Sequence, residues 1–122
     1  HEGNKHTFWK FCLDIDPTII QGGTVAIGKL LKEQGVFCAP RYIQKPAFQC
    51  QVFTQQKTFG QSRFPFSLAA PEALDYSPEL FPGTFQALSR VLVLPWSERY
   101  ENHHLEYIAE TIRNAAKQLT LA

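Results

Sequence analysis

No methionine occurs anywhere in this chain, which opens on His1. A translated sequence ordinarily opens on Met, so the expectation is a fragment of a longer protein, whether trimmed, cleaved or truncated. Runs of Lys and Arg are also missing, and the 12 basic and 11 acidic residues nearly cancel to a formal net charge of +1. Without a basic stripe, nucleic acid is not an expected partner. No apolar run approaches the roughly 20 residues that cross a bilayer, and no helical stretch has a Lys/Arg-rich face to lie on one. His1 to Lys10 mixes polar and aromatic residues and does not read as a signal peptide. Cysteine is scarce: Cys12, Cys38 and Cys50 are an odd number at wide spacing, with no CxxC. That excludes a disulfide framework and a zinc site, and makes a reducing cytoplasm the expected setting. No internal repeat is visible.

What is present suits one packed domain over residues 1–122. Hydrophobic residues make up 44% and aromatics 13%, with 10 Phe, enough apolar surface to build a core at this length. His6 to Ile15 alternates, with Thr7, Trp9, Phe11, Leu13 and Ile15 on one side, and predicts a strand that Asp16-Pro17 ends. Thr24 to Gln34 keeps a helical stripe of Val25, Ile27, Leu30 and Leu31, interrupted by Gly28; Thr24 is the expected cap and Gly35 the stop. Val36 to Tyr42 predicts a second strand, with Pro40 suggesting an edge or an ending. Gln44 to Pro82 holds five of the eight prolines and little periodicity, the pattern of a long binding loop. A short helix is expected from Pro82 to Ser89, a buried strand over Val91 to Leu94, and the strongest helix from Glu101 to Leu119. This order predicts an α+β fold: a small, mainly antiparallel sheet with helices packed on one face and a long irregular central loop.

Several clusters carry chemistry. His103-His104 with Glu98, Glu101 and Glu106 has metal-ligand residue types, but no second cluster completes a site, so a solvated first helical turn is the reading preferred. Gly22-Gly23-Thr24 before a helix offers free amides to an anion, without the Gly-Lys-Ser/Thr ending of a phosphate loop; a flexible loop and cap is the plainer reading. Cys38 or Cys50 as a nucleophile lacks a local His, which favours buried structural thiols. Arg41-Tyr42 at a strand end feeding a long loop combines a bidentate fork with a ring and a hydroxyl; substrate contact and plain surface placement are both open. Gln55 to Phe66 interleaves Lys57, Ser62 and Arg63 with three Phe, which either binds a sugar or nucleotide or pins the loop to the core.

The ordered segments HTFWKFCLDID, LKEQGV, APRYIQKPAF, KTFGQSRFPF and VLVLPWSERYENHHLEYIAETIRNAA resemble the C-terminal small domain of the DegT/StrS family, the sugar and aminocyclitol aminotransferases. The resemblance covers nearly the whole chain. It implies a fold-type-I parent enzyme in which a lysine of a preceding large domain carries pyridoxal phosphate as electron sink. An amino donor then supplies the amine that a keto-sugar or keto-cyclitol takes. The small domain closes one wall of the substrate site. None of Lys5, Lys10, Lys29, Lys32, Lys45, Lys57 or Lys117 sits in the family's lysine motif, so the resemblance implies no catalytic residue and no cofactor in this chain. It implies Arg41, Tyr42, Ser62 and Arg63 as substrate contacts, and the missing large domain as partner. Two other functions compete with it: a stand-alone interaction module that self-associates through exposed apolar surface, and a binder of sugar or nucleotide phosphates through Arg41, Lys57 and Arg63.

Overall fold

Val91, Leu92, Val93 and Leu94 present no polar side to solvent, and they lie in the central strand of the sheet. The computed structural model describes residues 2, 3, 5 and 7–121. Its elements are β1 (Lys10–Asp14), α1 (Gly23–Glu33), β2 (Ala39–Pro40), α2 (Gln51–Thr54), α3 (Pro82–Arg90), β3 (Val91–Pro95) and α4 (Asn102–Leu119). The strands form one antiparallel sheet in the order β1-β3-β2. The fold is α+β. The chain clusters into two compact units, His1–Tyr42 with Ala87–Ala122, and Ile43–Gln86.

In the first unit, alternation along β1 places Phe11 and Leu13 opposite Leu94 and Leu92 of β3. These four pack in one apolar cluster with Ile27 and Leu31 of α1 and with Ile108, Ile112 and Ala115 of α4. Both long helices thus cover the same face of the sheet. Helical spacing predicts a stripe of Leu105, Ile108, Ala109, Ile112, Ala116 and Leu119 on α4, and Ile108, Ile112, Ala116 and Leu119 of it pack on this cluster. The strand expected from His6 begins at Lys10 among the described residues; His6 itself lies outside them.

Three local features depart from the sequence reading. Thr24 does not cap α1. Gly22 does, at φ 76°, while Thr24 is 3% exposed and its hydroxyl donates to the Ser89 carbonyl at 3.2 Å. At the other end Gly35, at φ 75°, stops the helix as expected: its N–H donates to Lys32 and the Val36 N–H to Leu31, the paired bonds of a Schellman ending. The strand expected over Val36 to Tyr42 shrinks to Ala39–Pro40. The register explains why. Ala39 faces Val93, so Phe37 would face Pro95, which has no N–H to give the ladder. Beyond Pro40, Arg41 still donates to the Val91 carbonyl at 2.9 Å but adopts φ 51° and turns the chain out of the sheet. Gly28, which looks like a weak point in the helix, is where α1 meets β2: a Cβ there would lie 2.3 Å from Pro40 Cγ.

Arg90 closes β1 onto the start of β3. Its Nε and Nη2 donate to the two carboxylate oxygens of Asp14 at 2.7 and 2.9 Å, and Nη2 lies 3.3 Å from Asp16 Oδ2. Thr18 donates both its hydroxyl and its N–H to Asp16; these bonds first, and the Arg90 charge after them, hold the Asp16 carboxyl below its ordinary range. Ser77 does the same for Asp75 in the second unit. A carboxyl lowered by folding contributes stability that is complete above its unfolded pKa, about 4, and disappears as pH falls through the folded value. Thermal melting of the wild type is therefore expected to weaken below about pH 4. In the Asp16→Asn/Asp75→Asn protein, the same acid series should show a shallower fall.

The second unit has no element longer than four residues between Ile43 and Phe81: α2 and single 3₁₀ turns at Ala47–Gln49, Phe66–Leu68, Pro71–Leu74 and Pro78–Leu80. Aromatic pairs organise it. Phe48 stacks on Phe81 at 4.3 Å and meets Phe85 edge-on at 6.0 Å, and Phe53 meets Phe66 and Tyr76 edge-on at 5.9 and 5.5 Å, arrangements favoured by the ring quadrupoles.

Candidate functional site

Arg41 and Tyr42 leave the end of β2 side by side, both exposed. The left-handed turn at Arg41 sends Tyr42 across the sheet surface, where its hydroxyl accepts a hydrogen bond from the Lys10 ammonium. Lys10 Nζ sits 3.9 Å from the Tyr42 ring centroid and 4.2 Å from that of Trp9, a cation between two aromatic faces. Trp9 is 80% exposed. One cation, two ring faces and a phenol hydroxyl thus share one surface of the first unit, with the exposed Arg41 next to Tyr42 in the chain. Such a set can accept anionic oxygens through Arg41 and Lys10, and the flat face of a sugar or planar ring on Trp9. Lys10 and Trp9 were missed as site residues because the contact bridges positions 10 and 42, and no local pattern signals it.

Ser62 and Arg63 belong to the second unit. There they shape their own loop. The Ser62 hydroxyl donates to the Phe59 carbonyl at 3.4 Å and accepts from the Phe64 N–H at 3.2 Å. Arg63, at φ 56°, donates from its guanidinium to the Gln56 side-chain carbonyl. Lys57 is exposed. Of the three Phe in this stretch, Phe66 pins the loop through Phe53, whereas Phe59 and Phe64 are 95% and 59% exposed.

A cavity of about 480 Å³ opens in the first unit where β2 stops short of Pro95. Phe37 and Pro95 wall one side; Tyr100, His103, His104 and Tyr107 wall the other. His104 and Tyr107 stand three apart on α4, and Tyr100 precedes the helix. The histidines serve the start of α4. The Glu101 N–H donates to His104 Nδ1 at 3.1 Å as half of a capping box, and His103 Nδ1 lies 3.5 Å from the Glu101 carboxylate. Tyr107 donates to the Gln34 carbonyl at 2.8 Å, satisfying one of the carbonyls left over at the end of α1.

The remaining clusters do not assemble. Gly23 donates its N–H to Ile20, and Thr24 is buried, so this turn offers no open cradle to an anion. Cys38 is 1% exposed, its Sγ lies 3.5 Å from the Gly28 carbonyl, and burial pushes its thiol up, away from nucleophile chemistry. All three cysteines are free. Among the described residues no group of three or more His, Cys, Asp or Glu is placed to hold a metal ion, and no helix is long and apolar enough to cross a membrane. No family model, curated protein or solved structure matches the chain.

Proposed function

We propose that this chain is the small C-terminal domain of a pyridoxal-phosphate-dependent keto-sugar or keto-cyclitol aminotransferase, forming one wall of the substrate site and not catalytic by itself. The observation that carries the reading is the surface beyond the end of β2, where Tyr42, Lys10 and Trp9 gather and Arg41 stands exposed next to Tyr42 in the chain. It offers what a polyhydroxylated substrate bearing phosphate requires: charge for the oxygens and a ring face for the sugar. The sequence resemblance to the DegT/StrS small domain supports the same reading, as does the α+β architecture.

The cavity beside Pro95 does not fit the cofactor. The 480 Å³ cavity is lined by apolar, Tyr and His side chains. It has no lysine to bond the cofactor's aldehyde, no arginine for its phosphate and no carboxylate for its ring nitrogen. In this reading those groups come from the large domain, and what this chain's own residues do is bind and orient substrate. Arg41 and Lys10 neutralise its anionic oxygens, and Trp9 orients its ring. The cytoplasm is the compartment this reading implies, in keeping with three free cysteines.

Two measurements test it. Adding pyridoxal phosphate to the purified chain should leave no stoichiometric, borohydride-reducible lysine adduct; such an adduct would overturn the claim that the chain is not catalytic alone. Calorimetry with a panel of nucleotide sugars should give weak binding that Arg41→Ala reduces about tenfold or more, since a charge-assisted bond contributes about 1.5–3 kcal/mol. No heat from any member of the panel removes the substrate-facing role.

A further inference from the structure

The backbone of β1 faces two ways. The Ile15 N–H donates to the Arg90 carbonyl at 2.9 Å and the Trp96 N–H to the Trp9 carbonyl at 3.4 Å. In an antiparallel ladder the residues that bond a given neighbour alternate, so Trp9, Phe11, Leu13 and Ile15 spend their amides on β3. The N–H and C=O groups of Lys10, Cys12 and Asp14 therefore point the other way. Among the described residues the sheet order β1-β3-β2 puts no strand there. This is a regular edge, free of proline and paired without a bulge along its whole length with β3, the kind of edge that templates another strand.

We propose that β1 pairs antiparallel with β1 of a second copy of this chain, about a twofold axis through Cys12, so that two sheets join into one. The strand is its own complement. With Cys12 facing Cys12 of the second copy, Lys10 faces Asp14 of the second copy at each end, opposite charges across the ladder. All three pairs then use the outward-facing amides. Sliding by two residues, the smallest shift that keeps those amides opposed, sets Cys12 against either Lys10 or Asp14 and loses a charge match. Asp14 keeps 66% of its side chain exposed while bound to Arg90, so it can accept a second cation. Cys12 is exposed and small, and leaves the axis unobstructed. The joint is short, well below the roughly 1,200 Å² of a stable interface, so the dimer forms only at high concentration. The pairing rests on strand geometry and on the charges of Lys10 and Asp14, and it calls on Lys10 to turn from Tyr42 toward the second copy; it does not rest on the aminotransferase reading.

Sedimentation of the wild-type chain over a concentration series should show the weight-average mass rising from monomer toward dimer. Cys12→Pro removes an N–H that points out of the sheet, leaving the β1–β3 ladder its full set of bonds. It should stay monomeric while keeping its circular dichroism. Cys12→Lys, which sets like charges on the axis, serves the same purpose should the proline variant fail to fold. A wild-type chain that stays monomeric at the highest concentration, or a dimer that survives both substitutions, overturns the proposal. The register has its own readout. In a Cys12→Ser background, mild copper-phenanthroline oxidation should cross-link Lys10→Cys to Asp14→Cys, because facing Cα atoms in such a pair stand about 5.5 Å apart. Neither variant should cross-link to itself. Self-linking as efficient as cross-linking overturns the twofold register.

Discussion

Leu92→Ala is expected to cost about 2–5 kcal/mol of folding free energy, the range for emptying a fully packed leucine site. Leu92 is 0% exposed and stands in the central strand, facing Leu13 of β1 on one side and Pro40 of β2 on the other. The strands beside it are tied to its own backbone and cannot close over the space left by the lost side chain. The size of the effect follows from how little else the first unit has: its apolar cluster has nine buried members. Domains of this size have about 5–15 kcal/mol of net stability to lose. Urea unfolding followed by circular dichroism gives the number. Leu80→Ala, at a position 58% exposed, is the control and should move the midpoint within about 0.5 kcal/mol of wild type. A Leu92→Ala midpoint equally close to wild type would mean that β3 is not the centre of the core.

Gly28→Ala is the sharper test because the sequence and the structure give opposite signs. In a helix interior, alanine is favoured over glycine by about 1 kcal/mol, so a reading of α1 as an isolated helix makes the change stabilising. The structure makes it destabilising. The new methyl would lie 2.3 Å from Pro40 Cγ and 3.5 Å from Cys38 Sγ. Proline's ring cannot swing aside, and its backbone is fixed in β2 by the pairing with Leu92. The helix must lift from the sheet, and overpacking of this kind costs about 1–3 kcal/mol or somewhat more. A net loss of up to about 2 kcal/mol is expected once the helix gain is subtracted. Because the obstacle is a single ring, Gly28→Ala/Pro40→Ala should be more stable than the two single losses added together, a coupling a double-mutant cycle measures directly.

The same pair of residues shows where sequence reasoning reaches its limit. The stripe of α4, the buried run of β3 and the stop at Gly35 were legible because each is a local pattern with a local cause. Gly28 and Pro40 read as two separate weaknesses, a gap in a helix and a break in a strand; only their contact explains both. The short β2 was hidden for a related reason, since its limit is set by Pro95, a residue distant in sequence that withholds the N–H Phe37 would need. Thr24 has the chemistry of a cap and is instead drawn inward to Ser89. At the candidate site, Arg41 and Tyr42 could be named from their place at a strand end. Lys10 and Trp9 could not, because proximity across the sheet leaves no mark on spacing. Ser62 and Arg63 were implied by the family resemblance, and their bonds are to Phe59, Phe64 and Gln56 of the same loop.

The register of β3 also bears on the order in which the molecule assembles. The strand that joins β1 and β2 comes after both of them and after the whole second unit. On a chain emerging from the ribosome, β1, α1 and β2 have no sheet to enter until Val91–Pro95 has appeared. α1 and the short turns of the second unit rest on local contacts and can form early; the sheet requires a long loop to close, which slows folding. Until then both sides of β1 are open. The association assigned above to its outer side has a competitor on its inner side in the nascent chain, and the speed with which β3 arrives decides how much of the protein reaches the native register rather than pairing strand to strand between unfinished chains.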